Sequence, residues 1–426
     1  MADFNNSTLL DPAAPAATPT QTVGNIDLIV HVAPSSISAL EQTAGLITSA
    51  LQILSNSPST SPESMKTALV YPASEALGAY AGSVSGLQLA SYQSTAPPAS
   101  NPWLHSVQSY QAVSKVSAEH SAHAVLMLGP DADALDPAAL APMIHSVLNE
   151  GVDLVMPLYT LHVFDGMLNS SIFYPLTRAL YGLHVRYPLG ADLALSTKFL
   201  DRLVSSTGRA ASLAREEVLA WPATVASLGN FKLAQAEVGQ RRVTQPEGVD
   251  LSSLLGQITG SLFADVEANA TYWQRIRRTQ PLPPLGKPTQ IDEPKETIDV
   301  TPMVESFKLA LVNLHEIWML VLSPYTLLGL KRLGQMPIAT FRMPDSLWVR
   351  IIYDFALAYR LRSINRKHLL GALTPLYLAW VASHVLEIGD RDRVASEERI
   401  ETLARAYESD KAYLVSRWRW PDRFNP

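Results

Sequence analysis

Three carboxylates, Asp131, Asp133 and Asp136, follow directly on the apolar run AVLML at residues 124–128. Oxygen donors set just past a strand end are what a hard divalent cation, Mg²⁺ or Mn²⁺, selects. The same residues also suit a solvated loop in which Asp136 caps the next helix. A further carboxylate, Asp192, shares a loop with Gly190, whose missing Cβ lets another molecule come close to the backbone. Other chemistries are excluded by residue type. The chain has no cysteine, which removes disulfides, thiolate zinc sites and cysteine nucleophiles. It contains no HExxH for zinc, and no P-loop, G-x-G-x-x-G or G-x-S-x-G.

The elements that must position Asp192 are written into residues 162–196, HVFDGMLNSSIFYPLTRALYGLHVRYPLGADLALS. Ile172, Leu176 and Leu180 recur at helical spacing, with Phe173, Ala179 and Tyr181 widening the apolar face, so an amphipathic helix is predicted. Gly182 suits the position just past its last turn, where a positive φ meets no Cβ clash. Asp165-Gly166 marks a turn before it. Residues 185–189 read as a short extended segment, because the residue before Pro188 is pushed out of the α region. Asp192 is then expected just after a strand.

Around this segment, apolar runs at 26–32, 67–71, 124–128 and 152–158 read as strands, alternating with helical patterns at 35–54, 107–121 and 140–149. Alternation of this kind implies a mostly parallel sheet flanked by helices, with ligands at the carboxyl ends of the strands. Residues 215–229 and 251–277 are also helical in pattern. Pro281, Pro283, Pro284, Pro288, Pro294 and Pro302 mark an extended connection. Beyond it, 303–322, 347–362, 368–388 and 396–420 all read as helix, the last with Ser396 as N-cap. The expected organisation is a flexible tail at 1–25, an α/β domain at 26–280, a linker at 281–302 and an all-helical domain at 303–426.

At 426 residues, 47% apolar and 17% charged, the chain has the composition of a globular protein with a large core. Its net charge of −6 offers nothing to nucleic acid. Residues 1–25 lack the basic start and apolar centre of a signal peptide. The apolar stretch at 317–330 is about 14 residues long and broken by Pro324, against the roughly 20 a membrane span needs, so a buried core helix is expected there. Lys331 and Arg332 directly after it leave peripheral membrane contact open. Lack of cysteine fits a cytoplasmic setting, and self-association into a homo-oligomer is also left open.

The blocks HVFDG, N-x-x-x-x-YPLTRALYG and YPLGADLALS, together with YDFALAYRLRSINRKHLLGALTPLYLAWVASHVLEI near the C-terminus, resemble a family of glycosyltransferase-2-like bacterial proteins. These are relatives of the glucosyl- and mannosylglycerate synthases. The resemblance implies a GT-A-like, Rossmann-like fold that moves a sugar from a nucleotide-diphosphate donor to a small acceptor, glycerate-like or glycosyl, with Mg²⁺ or Mn²⁺. It gives Asp192 the catalytic place, deprotonating the acceptor hydroxyl in an inverting enzyme or orienting it in a retaining one. His162, Asp165, Arg178 and Gly190 fall on the acceptor side, where Arg178 would pair with Asp165 or grip an acceptor carboxylate. Asp131 and Asp133 fall at the donor and metal positions.

The donor side departs from the family pattern. If Asp136-Pro137 matches the Thr-Pro that opens the family's next helix, the D-x-D positions fall on Gly129-Pro130-Asp131. Tyr71-Pro72-Ala73-Ser74 stands where an acidic turn would hold the nucleoside, Asn101-Pro102-Trp103 where a lysine turn would meet phosphate, and residues 243–247 (VTQPE) where a metal-ligating His belongs. Two readings follow, an active transferase or a relative that keeps the fold as a binding or scaffolding subunit.

Overall fold

The structure, a computed structural model, describes residues 25–34, 36–56, 65–73, 83–93, 104–132, 135–213, 219–241, 250–287 and 298–421. Its centre is a nine-stranded sheet in the order β3-β4-β2-β1-β5-β7-β6-β8-β9. The strands are β1 Leu28–His31, β2 Thr67–Pro72, β3 Ser83–Val84, β4 Leu87–Tyr92, β5 Ala124–Met127, β6 Leu154–Thr160, β7 Leu193–Ser196, β8 Leu233–Gln240 and β9 Pro284–Leu285. Strands β4, β2, β1 and β5 pair in parallel, as do β6, β8 and β9. Only β3 and β7 run against their neighbours, and β7 lies reversed between β5 and β6. The mostly parallel α/β sheet expected from the alternation is the one observed.

Both faces of the sheet are covered, which is why its central strands are apolar along most of their length. Along β1, Leu28 and Val30 point into one core layer and Ile29 into the other, the two-residue alternation of a pleated strand. The first layer is closed by helices Ile37–Ser55 and Pro137–Asn149, the second by Val107–Glu119 and Thr197–Leu213. Asp136 caps Pro137–Asn149, accepting from the Ala138 N–H at 2.9 Å. From Thr301 to Arg419 the structure is helical.

The helix Tyr174–Tyr181 forms where the spacing placed it, with Ile172, Leu176 and Leu180 fully buried and Gly182 left-handed at φ 77° behind it. It continues a π-helical turn, Asn169–Phe173. A third core layer joins this helix and Leu251–Ala268 to the C-terminal helices, packing Phe263 and Trp273 with Trp348, Trp380, Tyr407 and Trp418. Apolar burial therefore crosses from residues before 280 to residues beyond 300 without a break.

Several expectations are corrected. Residues 185–189 form no strand; Pro188 and Leu189 turn, closed by the Gly190 N–H on the Tyr187 carbonyl at 3.0 Å. Asp192 thus precedes a strand, β7, rather than following one. The stretch 317–330 is no single buried helix. It divides between His315–Val321 and Pro324–Gly334, since Pro324 cannot continue the first, and Met319, Leu320, Tyr325 and Leu328 are exposed. The last helix starts at Arg393, capped by Asp392 and not Ser396. Among the described residues one stretch, Arg366–Ile388, is long and apolar enough to cross a membrane, and 78% of its apolar window is buried in the fold.

Candidate functional site

Seven parallel strands, β1, β2, β4, β5, β6, β8 and the short β9, point their carboxyl ends the same way, and reversed β7 starts at that edge of the sheet. Open α/β sheets bind ligands at that edge. Polar groups collect on it: His31 ends β1, Tyr92 ends β4, the Gly129 N–H follows β5, Tyr159 stands near the end of β6, Asp192 precedes β7 and Arg241 follows β8.

Asp192 is the hub. Its side chain is completely buried, so each lone pair must be met by a donor. Oδ1 accepts from the Gly129 N–H at 3.0 Å and from Arg241 Nη2 at 3.2 Å, and Oδ2 from the Tyr159 hydroxyl at 2.8 Å. The Tyr159 oxygen accepts in turn from the backbone N–H groups of Ala191 and Asp192 at 3.0 and 3.2 Å. Burial, followed by the Asp192 charge, raises the Tyr159 pKa well above its usual range, so the phenol stays a donor. Arg241, itself buried, donates through Nη1 to the Asp131 carbonyl at 2.5 Å. The fit around Gly129 is tight, and a Cβ there would lie 2.6 Å from that of Ala191.

A histidine pair adjoins this network. His105 Nε2 meets the Ala191 carbonyl at 2.5 Å, its ring packs edge-on to His31 at 5.6 Å, and His31 Nε2 lies 2.9 Å from the Tyr92 hydroxyl. Burial lowers both imidazole pKa values, that of His31 further through the neighbouring His105, so both rings are neutral at neutral pH. His31 Nδ1 is buried without a hydrogen-bond partner.

Two small openings flank the hub. One is lined by Leu104, His105, Tyr110, Leu189, Gly190 and Pro222, among others. The other lies across the Tyr159–Tyr187 ring pair, whose centroids are 5.0 Å apart, and is lined by His162, Asp165, Arg186, Arg393 and Glu397 among others. The expected acceptor residues are therefore not gathered in one place. Gly190 lines the first opening and His162 and Asp165 the second.

Arg178 lies apart from both. It is buried and forked onto Glu408 at 2.9 and 3.2 Å, with Nη1 on Glu401 at 2.5 Å and on the Tyr174 hydroxyl at 2.8 Å. These bonds tie the YPLTRALY helix to the last one. Arg186, in the loop after that helix, joins the π-helical turn to the last helix, forked onto Glu397 at 2.9 and 3.0 Å and bonded to Ser170.

Asp131 is exposed at the surface, in a left-handed conformation at φ 55°. Asp133, like Trp103 and residues 242–249, lies outside the described residues. Among the described residues no three His, Asp or Glu side chains stand together as a metal site. Sequence reading missed Arg241, Tyr159 and His105. Arg241 was hidden because β8, LAQAEVGQ, carries Gln and Glu and does not read as a strand, so nothing marked its end. Tyr159 lay just past the run assigned to β6 and could have been found there.

A mostly parallel α/β sheet with its buried polar hub at the carboxyl edge defines the class of this protein. No family model matches the chain, and no curated protein matches it. Among solved structures it is similar to glucosyl-3-phosphoglycerate synthase from Mycobacterium tuberculosis in complex with phosphoglyceric acid, at 16% identity and a TM-score of 0.35 over 57% of this chain and 79% of that one. The same synthase with Mg²⁺ and uridine diphosphate gives 15% identity and 0.36, over 57% and 78% of the two chains. A further mycobacterial protein gives 15% and 0.34, over 57% and 74%.

Proposed function

We propose that this chain is a GT-A-type glycosyltransferase, moving a sugar from a nucleotide-diphosphate donor onto a small acceptor, glycerate-like or glycosyl, in the cytoplasm. The observation that carries the reading is the placement of Asp192. The motif YPLGADLALS, one of those that carry the family resemblance, holds this carboxylate, which lies at the carboxyl edge of the sheet between the loop after β5 and the end of β8. In that reading Asp192 orients the acceptor through the shell that Tyr159 and Gly129 hold around it, and the opening at Gly190 and His105 admits the reacting groups. The His162–Asp165 opening, with Arg186 and Arg393, takes the remote end of the acceptor.

The test is a screen of donor hydrolysis and transfer across common nucleotide sugars, with glycerate, phosphoglycerate and simple glycosides as acceptors. One donor should be turned over, and Asp192→Ala should lower the rate at least about a hundredfold, the scale of losing a group that acts in the transition state. A folded protein that neither binds nor hydrolyses any nucleotide sugar would instead support the scaffolding role.

A further inference from the structure

Two stretches rich in arginine and tryptophan, WQRIRR at 273–278 and RWRW at 417–420, are remote in sequence and meet in the fold. Arg419 Nε donates to Gln274 Oε1 at 2.8 Å, across 145 positions. The rings of Trp273 and Trp418 meet edge-on at 5.2 Å. The end of helix Asp345–Leu361 joins them. There Arg360 lays its guanidinium over the Trp418 ring, 4.7 Å from the centroid, and donates through Nη1 to the Trp418 carbonyl at 2.6 Å. One region of the surface thus gathers Arg275, Arg277, Arg278, Arg360, Arg362 and Arg419. Carboxylates nearby are engaged elsewhere, Glu267 with Arg366, Asp354 with Arg417, Glu408 with Arg178 and Asp410 with Arg350. Among the described residues none pairs with these six arginines. Lys411, which donates to the Ile276 carbonyl at 3.0 Å, registers the excess, since burial and then the Arg277 charge pull its ammonium down to about 8.

Cations at helix C-termini are favoured by the helix dipole, which accounts for Arg360 and Arg419. It does not account for Arg277 and Arg278, exposed in the loop beyond helix Ala270–Trp273. Nor does it account for two apolar side chains in the same region, Leu361 and Trp420, left 44% and 61% exposed. We infer that this surface docks the protein on an anionic lipid bilayer, with the arginines on headgroup phosphates and Trp420 and Leu361 at the boundary with the acyl chains. A guanidinium forks onto phosphate oxygens, and an indole is at home at headgroup level. The chain as a whole carries −6, so the positive excess is local and turns this one side towards the membrane. A nucleic acid would use the cations and the indole, but it gives an exposed leucine nothing to enter. The inference does not depend on the transferase reading.

The full chain is sedimented with vesicles of phosphatidylcholine alone and of phosphatidylcholine mixed with phosphatidylglycerol. It should bind the mixed vesicles and not the neutral ones, and less as salt is raised. Arg277→Gln combined with Arg278→Gln should weaken binding about 25-fold, at roughly fivefold for each cation near an anionic surface. Both side chains are exposed, so the fold should hold, and circular dichroism checks it. Lys331→Gln combined with Arg332→Gln removes an equally exposed pair from helix Pro324–Gly334 and should leave binding within about twofold. Three results overturn the inference: no binding to mixed vesicles, equal binding to neutral ones, or a loss no greater in the Arg277 and Arg278 variant than in the Lys331 and Arg332 variant. The first two need no variant. A labelled single-stranded oligonucleotide that binds where mixed vesicles do not would give the surface to nucleic acid instead.

Discussion

At the scale of single residues, Asp192 and Arg241 form an ion pair out of contact with solvent. Replacing Asp192 by Ala takes the carboxylate from a buried guanidinium, for which about 3–5 kcal/mol of lost stability is expected in urea unfolding. Tyr159→Phe removes one donor from the same carboxylate and should cost about 1–3 kcal/mol. The ratio separates a lost ion pair from a lost hydrogen bond. His384 sets a pH dependence. Its ring stacks on Trp380 at 5.1 Å and burial pulls its pKa down to about 4, whereas the unfolded chain takes up that proton near 6.5. Stability from this group is complete above pH 6.5 and drains away as pH falls towards 4, by roughly 3 kcal/mol at the limit. His31 and His105 act in the same direction. Asp265 opposes them, because burial lifts its pKa to about 6 from 3.8; its contribution is complete at low pH and is lost as pH rises through 6. The change in urea midpoint from pH 7.5 to 5 should therefore be less negative in His384→Gln than in the wild type. Of these residues the sequence made only Asp192 legible as a candidate, through its glycine-bearing loop. The partners of a buried charge come from distant strands, and no local pattern announces them.

At the scale of elements, the helix Tyr174–Tyr181 shows what local pattern can and cannot convey. Its apolar face and its glycine stop follow from spacing and were readable. Its polar face was not, because an arginine on a helix reads as solvated until another helix is known to cover it. Arg178 in fact clamps the last helix through Glu401 and Glu408. Arg178→Ala should therefore destabilise the protein by about 2–4 kcal/mol, less than a fully buried pair because both glutamates keep some solvent access. A variant that lost acceptor affinity at unchanged stability would return Arg178 to the acceptor role. Gly190 belongs to this scale as well. A Cβ there would lie 2.2 Å from Pro157 Cγ, so Gly190→Ala forces β6 and the loop before β7 apart, at about 1–3 kcal/mol. Strand β7 escaped notice because LALS is short and directly precedes a helix, and the reversed strand between β5 and β6 is a topological fact that no local run of residues encodes.

At the scale of the whole molecule, the composition and the switch from strand to helix patterns near residue 300 revealed the two kinds of architecture, while the core they share remained invisible. Because Phe263 and Trp273 pack in one layer with Trp348, Trp380 and Trp418, calorimetric unfolding should show a single transition, and in a chain ending at residue 287 the helices Tyr174–Tyr181 and Leu251–Ala268 should become sensitive to proteolysis. The carbonyl of Ser171, in the π-helical turn, accepts both Trp348 Nε1 at 3.0 Å and the Tyr407 hydroxyl at 2.9 Å, partners 177 and 236 positions further along the chain. A ribosome makes the N-terminal part first. The YPLTRALY helix must therefore leave the exit tunnel with its Tyr174 and Arg178 face uncovered and wait for the last helix to be synthesised, which makes that interval the time at which a nascent chain most needs a chaperone.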